Sequence, residues 1–129
     1  MKANELRIGN CLFVPGVHRE VIVSAIFKTH YVCEDYNGIR FEESLRINYQ
    51  PIPLKEEWLL KFGFEKINND VFRIVQNDNF KSPFSIAFDN INNLFKIAFQ
   101  GYWYHCKYVH QLQNIYFALT GEELTYTQL

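Results

Sequence analysis

Two runs of strict alternation limit the fold of this chain more than anything else in it. Phe84, Ile86 and Phe88 alternate with Ser85 and Ala87, and Phe95, Ile97 and Phe99 alternate with Lys96 and Ala98. A repeat of two puts every large side chain on one side of an extended backbone, so these runs are strands of a sheet with one buried face. Asp89-Asn90-Ile91-Asn92-Asn93 lies between them and reads as the turn of an antiparallel hairpin.

Shorter strands precede this hairpin. Cys11 to Val14 is an apolar run closed by Pro15-Gly16, and Glu20 to Lys28 sets Val21, Val23, Ala25 and Phe27 on one face. Tyr31 to Glu34 and Ile39 to Phe41 flank Asn37-Gly38, a pair suited to the two positive φ angles of a tight hairpin turn. So many short strands in so little chain predict a small, bent, SH3-like β-barrel over residues 1–50. Pro51-Ile52-Pro53 is a stiff extended connector, and residues 51–129 form the second part, packed with the first as one unit. Within it, Leu54, Trp58 and Phe62 share one face of a short helix, with Gly63 as its stop and Phe64 as the following apolar contact. Val71 to Val75 adds a strand after the turn Asn68-Asn69-Asp70. Tyr108 to Thr120 is the last helix, with Val109, Leu112, Ile115, Tyr116 and Leu119 on one arc and Gly121 after it. The expected class is therefore α+β: barrel, helix, antiparallel β-meander, C-terminal helix.

Composition narrows the function classes. Of the 129 residues, 48% are hydrophobic, which is enough to bury a core at this length. Aromatic residues reach 17%, more than so small a core hides, so aromatic surface is expected to be exposed for a partner. The formal net charge is −1, with acids and bases balanced in both halves. Such a chain is no general nucleic-acid coat, because that role needs Lys and Arg to neutralise phosphates; a local basic groove remains compatible. Cys11, Cys33 and Cys106 are too scattered for a disulfide framework. No signal segment opens the chain and no apolar run reaches membrane-spanning length, so a cytoplasmic protein without a membrane partner is expected.

The reactive residue types have plainer readings as well. His105, Cys106 and His110 lie close together, and His30-x-x-Cys33 is a second pairing, but no C-x-x-C spacing accompanies either. Isolated cysteines behave as small apolar residues. Cys106, His110 and an acid such as Asp89 could make a triad only if folding happened to gather them. No metal, cofactor or small-molecule substrate is expected, and the chain is read as non-enzymatic. The most unusual stretch is Tyr102-Trp103-Tyr104-His105-Cys106-Lys107-Tyr108. In a strand, Tyr102, Tyr104 and Cys106 face one way and Trp103, His105 and Lys107 the other. The stretch is a stacking platform for bases with Lys96 and Lys107 near phosphates, a sheet face packed under the last helix, or a protein-binding hot spot. Phe117 falls on the polar side of the last helix among His110, Gln113 and Asn114, so it is either exposed for a partner or covered by the N-terminal barrel. The partner-binding set expected from these residues is Tyr102, Trp103, Tyr104, Lys107, His110, Gln113 and Phe117.

Three stretches carry a family resemblance: Leu6-Arg7-Ile8-Gly9-Asn10, the run from Pro51 to Glu65 (PIPLKEEWLLKFGFE), and the run from Tyr108 to Leu124 (YVHQLQNIYFALTGEEL). Together they resemble a family of small proteins encoded by phages, prophages and mobile elements of Bacteroidota. Where that family carries Thr, this chain has Lys55. Residues between Asn68 and Lys107 have no counterpart in the resemblance. It implies an accessory protein of a mobile element that binds a host protein or ribonucleoprotein, one version being an anti-CRISPR-like inhibitor of an RNA-guided nuclease. The alternative is a nucleic-acid-binding regulator of phage replication or transcription, with RNA as a partner.

Overall fold

A computed structural model describes residues 5–14, 19–28, 30–35, 40–42, 49–74 and 84–124. The expected turns at Pro15-Gly16 and Asn37-Gly38, and the strand end at Val75, lie outside the described residues. The chain is α+β, with antiparallel sheets and a C-terminal helix. In chain order the elements are β1 (Cys11–Val14), β2 (Arg19–Ile26), β3 (Tyr31–Glu34), β4 (Arg40–Glu42), β5 (Gln50–Pro51), α1 (Glu56–Lys61), β6 (Glu65–Lys66), β7 (Val71–Ile74), β8 (Phe84–Asp89), β9 (Leu94–Phe99), β10 (Tyr102–Cys106) and α2 (Val109–Thr120). They fall into two compact units, Met1–Pro53 with Tyr108–Glu122, and Leu54–Lys107 with Glu123–Leu129. The first crossing comes within three residues of the expected boundary at 50. The structure differs from the expected division in giving α2 to the first unit rather than the second.

In the first unit the strand order is β4-β3-β2-β1-β5. The sheet is open, because no pairing joins β4 to β5 among the described residues. Its core is Leu6, Leu12, Val21, Val23, Tyr31, Cys33 and Tyr49. Val21 and Val23 are buried as the alternation requires, but the register against β3 shifts between Val23 and Ala25. That irregularity rephases the rest of β2, so Phe27, expected on the buried face, is 51% exposed and stacks on His30 instead. The Pro-Ile-Pro connector is more than a spacer. Pro51 pairs with Leu12 in the outer strand β5, where a missing N–H costs no ladder bond.

The second unit is a sheet of order β10-β9-β8-β7-β6 with α1 beside it in the chain. The two alternating runs form β8 and β9 as expected, and Phe84, Ile86, Phe95, Ile97 and Phe99 are all buried. Trp58, Leu59, Phe62 and Phe64 are buried with them in this unit, and Phe84 lies between Phe64 at 6.2 Å and Phe99 at 5.7 Å. Helix α1 ends as the glycine predicted. Gly63 has φ +92°, the Phe64 N–H donates to the Leu59 carbonyl at 3.0 Å, and the Gly63 N–H to the Leu60 carbonyl at 3.1 Å. Its start is weaker. Lys55 has the extended backbone of an N-cap but makes no side-chain cap hydrogen bond. Replacing Lys55 by Thr supplies the missing acceptor, so Lys55→Thr is expected to stabilise the protein by about 0.5–1 kcal/mol. A urea titration should show a higher midpoint at an unchanged slope.

Candidate binding surface

Strand β10 follows β9 through a two-residue turn, Gln100 at φ 50° and Gly101 at φ 83°. Two consecutive positive φ values make the mirror-image turn that suits the right-handed twist of a hairpin. The turn fixes the register: Tyr102 stands opposite Phe99, Trp103 opposite Ala98, Tyr104 opposite Ile97, His105 opposite Lys96 and Cys106 opposite Phe95. Cys106 is therefore buried on the core side and Tyr104 half-buried, whereas Trp103 and His105 point the other way and are exposed. Tyr102 shares the core-side parity but sits at the strand's start and is 68% exposed. Trp103 is 64% exposed. A regular strand thus holds two large aromatic side chains in solvent.

The outward face has a definite floor. Trp103, Ala98, Ser85, Arg73 and Glu65 lie in one row across all five strands, each opposite the next. A second row runs His105, Lys96, Ala87 and Val71. Cross-strand neighbours share a face, so small residues in the middle separate the Trp103 ring from the Arg73 guanidinium. The Arg73 Nε is buried and has no hydrogen-bond partner among the described residues. At the end of the face Asp89 organises the β8–β9 turn. It accepts the Asn92 side-chain amide at 2.8 Å and the Ile91 N–H at 2.9 Å, and pairs with the Lys96 ammonium at 3.1 Å. The Asn92 amide first, and then Lys96, hold its carboxyl well below the ordinary carboxylate range. Asp89 is therefore committed to its own turn.

Sequence reading missed a cavity in the same unit. It holds about 300 Å³, is built on Leu54, Phe72, Phe88 and Phe95, and is rimmed by Glu56 and Asp70 among other polar residues. The rings of Phe88 and Phe95 meet edge to face at 5.0 Å. The Lys66 ammonium lies 2.6 Å from the Glu56 carboxylate and 6.0 Å from the centre of the Phe72 ring. Nothing in the sequence separates these phenylalanines from their fully packed neighbours, since alternation tells which face a residue takes and not whether that face is filled to its end.

Of the remaining expected residues, His110, Gln113 and Phe117 belong to the first unit and Lys107 to the second. His110 and Gln113 are buried in the first unit, 3% and 2% exposed, and so cannot meet a partner as the folded chain stands. Gln113 is instead a clamp. Its Oε1 accepts the Cys11 N–H at 2.9 Å and its Nε2 donates to the Gly9 carbonyl at 2.9 Å. Asn10 completes the arrangement, accepting the Arg7 N–H at 2.7 Å and donating to Asn114 Oδ1 at 2.9 Å. Phe117 is 39% exposed with the Arg7 guanidinium 3.8 Å over its ring, so it is partly covered from within its own unit. Lys107 is exposed, and its carbonyl accepts the Leu54 N–H at 2.9 Å. His105 and Cys106, adjacent in sequence, face opposite sides of β10. The thiols of Cys11, Cys33 and Cys106 are buried. Among the described residues no three His, Cys, Asp or Glu side chains form a metal-sized group, and no helix is long and apolar enough to cross a membrane.

His110 carries a pH signature. Its ring stacks on Tyr108 at 5.9 Å, and Nδ1 has no hydrogen-bond partner among the described residues. Burial pushes its pKa below the ordinary 6.5, opposed in part by the Glu5 carboxylate. The unfolded chain therefore takes up a proton at a higher pH than the folded one. The stability tied to neutral His110 is fully present above about pH 6.5 and is lost as pH falls through the lower folded value. Thermal melts between pH 7 and pH 5 should show a falling midpoint, and His110→Leu should flatten that dependence. Equal slopes for the two proteins would refute the assignment.

No family model, curated protein or solved structure matches the chain.

Proposed function

We propose that this is a non-catalytic binding protein that engages a host macromolecule through the Tyr102–Trp103 end of β10. The observation that carries the reading is the solvent exposure of Trp103, 64%, on a regular strand whose turn and register fix its place on the sheet. Large rigid aromatics lose little entropy on binding and are the residues that most often dominate protein interfaces. The resemblance to a mobile-element family of Bacteroidota gives the host context, with an anti-CRISPR-like inhibitor of an RNA-guided nuclease as one concrete form. The SH3-like reading of the first unit belongs to the same proposal. Its support is the order β4-β3-β2-β1-β5, which returns the last strand beside the first. A cytoplasmic site of action belongs to the same proposal, supported by that context and by three buried cysteine thiols.

A second reading has its own observation. The row Trp103, Ala98, Ser85, Arg73 is a low floor with a ring at one end and a cation towards the other. That is the form of a base-stacking platform with a phosphate contact. Affinity capture from Bacteroidota lysate, with and without ribonuclease, separates the two. A protein retained after ribonuclease and lost from Trp103→Ala supports the first reading. Recovery that needs RNA and weakens steeply with salt supports the second. Capture that is the same for wild type and Trp103→Ala under both conditions refutes both.

A further inference from the structure

Among the described residues the two sheets have four outer strands, and three of them carry the usual protection against pairing with another chain. β4 reads Arg-Phe-Glu, β5 reads Gln-Pro and β6 reads Glu-Lys, so each is short and bears charge or proline. β10 is different. It is five residues long, reads Tyr-Trp-Tyr-His-Cys, and contains no proline and no permanently charged side chain. It is also rich in residues that favour strands.

Its free edge can be assigned from hydrogen-bond parity. In a hairpin closed by a two-residue turn, the flanking pair, here Phe99 and Tyr102, bond to each other, and so does every second pair after it. Tyr102, Tyr104 and Cys106 therefore direct their N–H and C=O groups at β9, while Trp103, His105 and Lys107 direct theirs away. The Leu54 N–H on the Lys107 carbonyl at 2.9 Å confirms that parity and closes the edge at its far end. The N–H and C=O groups of Trp103 and His105 remain, with no partner among the described residues, between Leu54 and the Gln100-Gly101 turn.

We infer that this edge pairs with the same edge of a second copy, antiparallel about a two-fold axis at Tyr104, joining two five-stranded sheets into one. The axis puts Trp103 opposite the partner's His105, so the outward-facing donors and acceptors of both strands meet in four hydrogen bonds. Ring lies against ring on the outer face, and Tyr104 against the partner's Tyr104 on the other. No like charges face each other along the strand, and a formal net charge of −1 adds little repulsion. Each copy offers the N–H and C=O groups of Trp103 and His105, so the two edges satisfy each other completely. A pairing of five residues buries less than the roughly 1,200 Å² of a stable interface, so association is weak and depends on concentration. The inference concerns the backbone edge and stands apart from which host macromolecule the Trp103 ring meets.

Sedimentation of the whole chain from about 10 μM to about 1 mM should show the average mass rising from 15.4 kDa towards twice that value. His105→Pro removes a donor on the free side and no bond to β9, a position where proline is tolerated. It should weaken dimerisation at least tenfold, while His105→Thr, which keeps the N–H, should not. Trp103→Lys, an edge protected by charge, should also be monomeric, and it serves if His105→Pro fails to fold. A wild-type chain that stays monomeric throughout overturns the inference. So does a dimer as tight in both blocking variants as in wild type. A wild-type chain that stays monomeric yet binds a host partner through Trp103 would leave the proposed function standing, and a dimeric wild-type chain that binds none would leave this inference standing.

Discussion

Gln113→Ala is expected to lower the melting midpoint by roughly 10 °C. The Gln113 amide satisfies the Cys11 N–H and the Gly9 carbonyl together, inside a region where it is itself almost wholly buried. Truncation leaves both backbone groups without their partner, at about 1–3 kcal/mol each. Neither can easily move to find another. The Gly9 N–H is held by the Val23 carbonyl at 2.8 Å, and the Val23 N–H by the Asn10 carbonyl at 2.9 Å, with Gly9 at φ +97°. Asn10→Ala should cost a similar amount, because Asn10 closes the Arg7 turn and bonds Asn114. The double variant should lose less than the sum, since the two amides belong to one network. Circular dichroism melts of the three variants decide the matter. A shift of only about 2 °C for Gln113→Ala would mean that water replaces the amide at little cost and that the clamp does not hold this turn.

That network also shows why part of the fold was legible and part was not. Element type is a local property here. The alternation in β8 and β9, the positive-φ glycines at 63 and 121, and the helical spacing of Val109, Leu112 and Tyr116 each act within a few residues. Partner assignment is not local. Asn10 and Gln113 are separated by 103 positions, and neither announces the other, so α2 could not be given to the first unit from its own pattern. Its buried face differs from the apolar arc for the same reason. The apolar arc suggested Ile115 and Leu119, which are only half-buried, while His110 and Gln113 go inside. Polar side chains are expected outside unless something buried needs them, and the need of Gly9 and Cys11 appears only once β1 is folded. The two-residue strands β5 and β6 were too short to show any period. The candidate surface was easier to see, because the alternation through Tyr102 to Cys106 separates Trp103 from Cys106 without reference to the rest of the chain.

Trp103→Ala is expected to abolish most partner binding while leaving the fold nearly untouched. Its ring lies on the open face, opposite the small side chain of Ala98, and makes no contribution to the buried core of the second unit. Surface truncations of this kind change stability by about 0.5 kcal/mol or less. A central aromatic at an interface is worth about 2 kcal/mol or more, which is roughly a thirtyfold change in affinity. Tyr104→Ala serves as the contrast. Tyr104 faces the core side and is half-buried, so its loss should lower the melting midpoint and affect binding only through stability. Arg73→Gln separates the two classes of partner. It should leave a protein contact centred on Trp103 nearly unchanged, but for RNA it should reduce both affinity and the salt dependence by about one phosphate contact. Equal affinity of wild type and Trp103→Ala for a partner captured by the wild-type chain would remove β10 from the binding site and return attention to the aromatic cavity between Leu54 and Phe95.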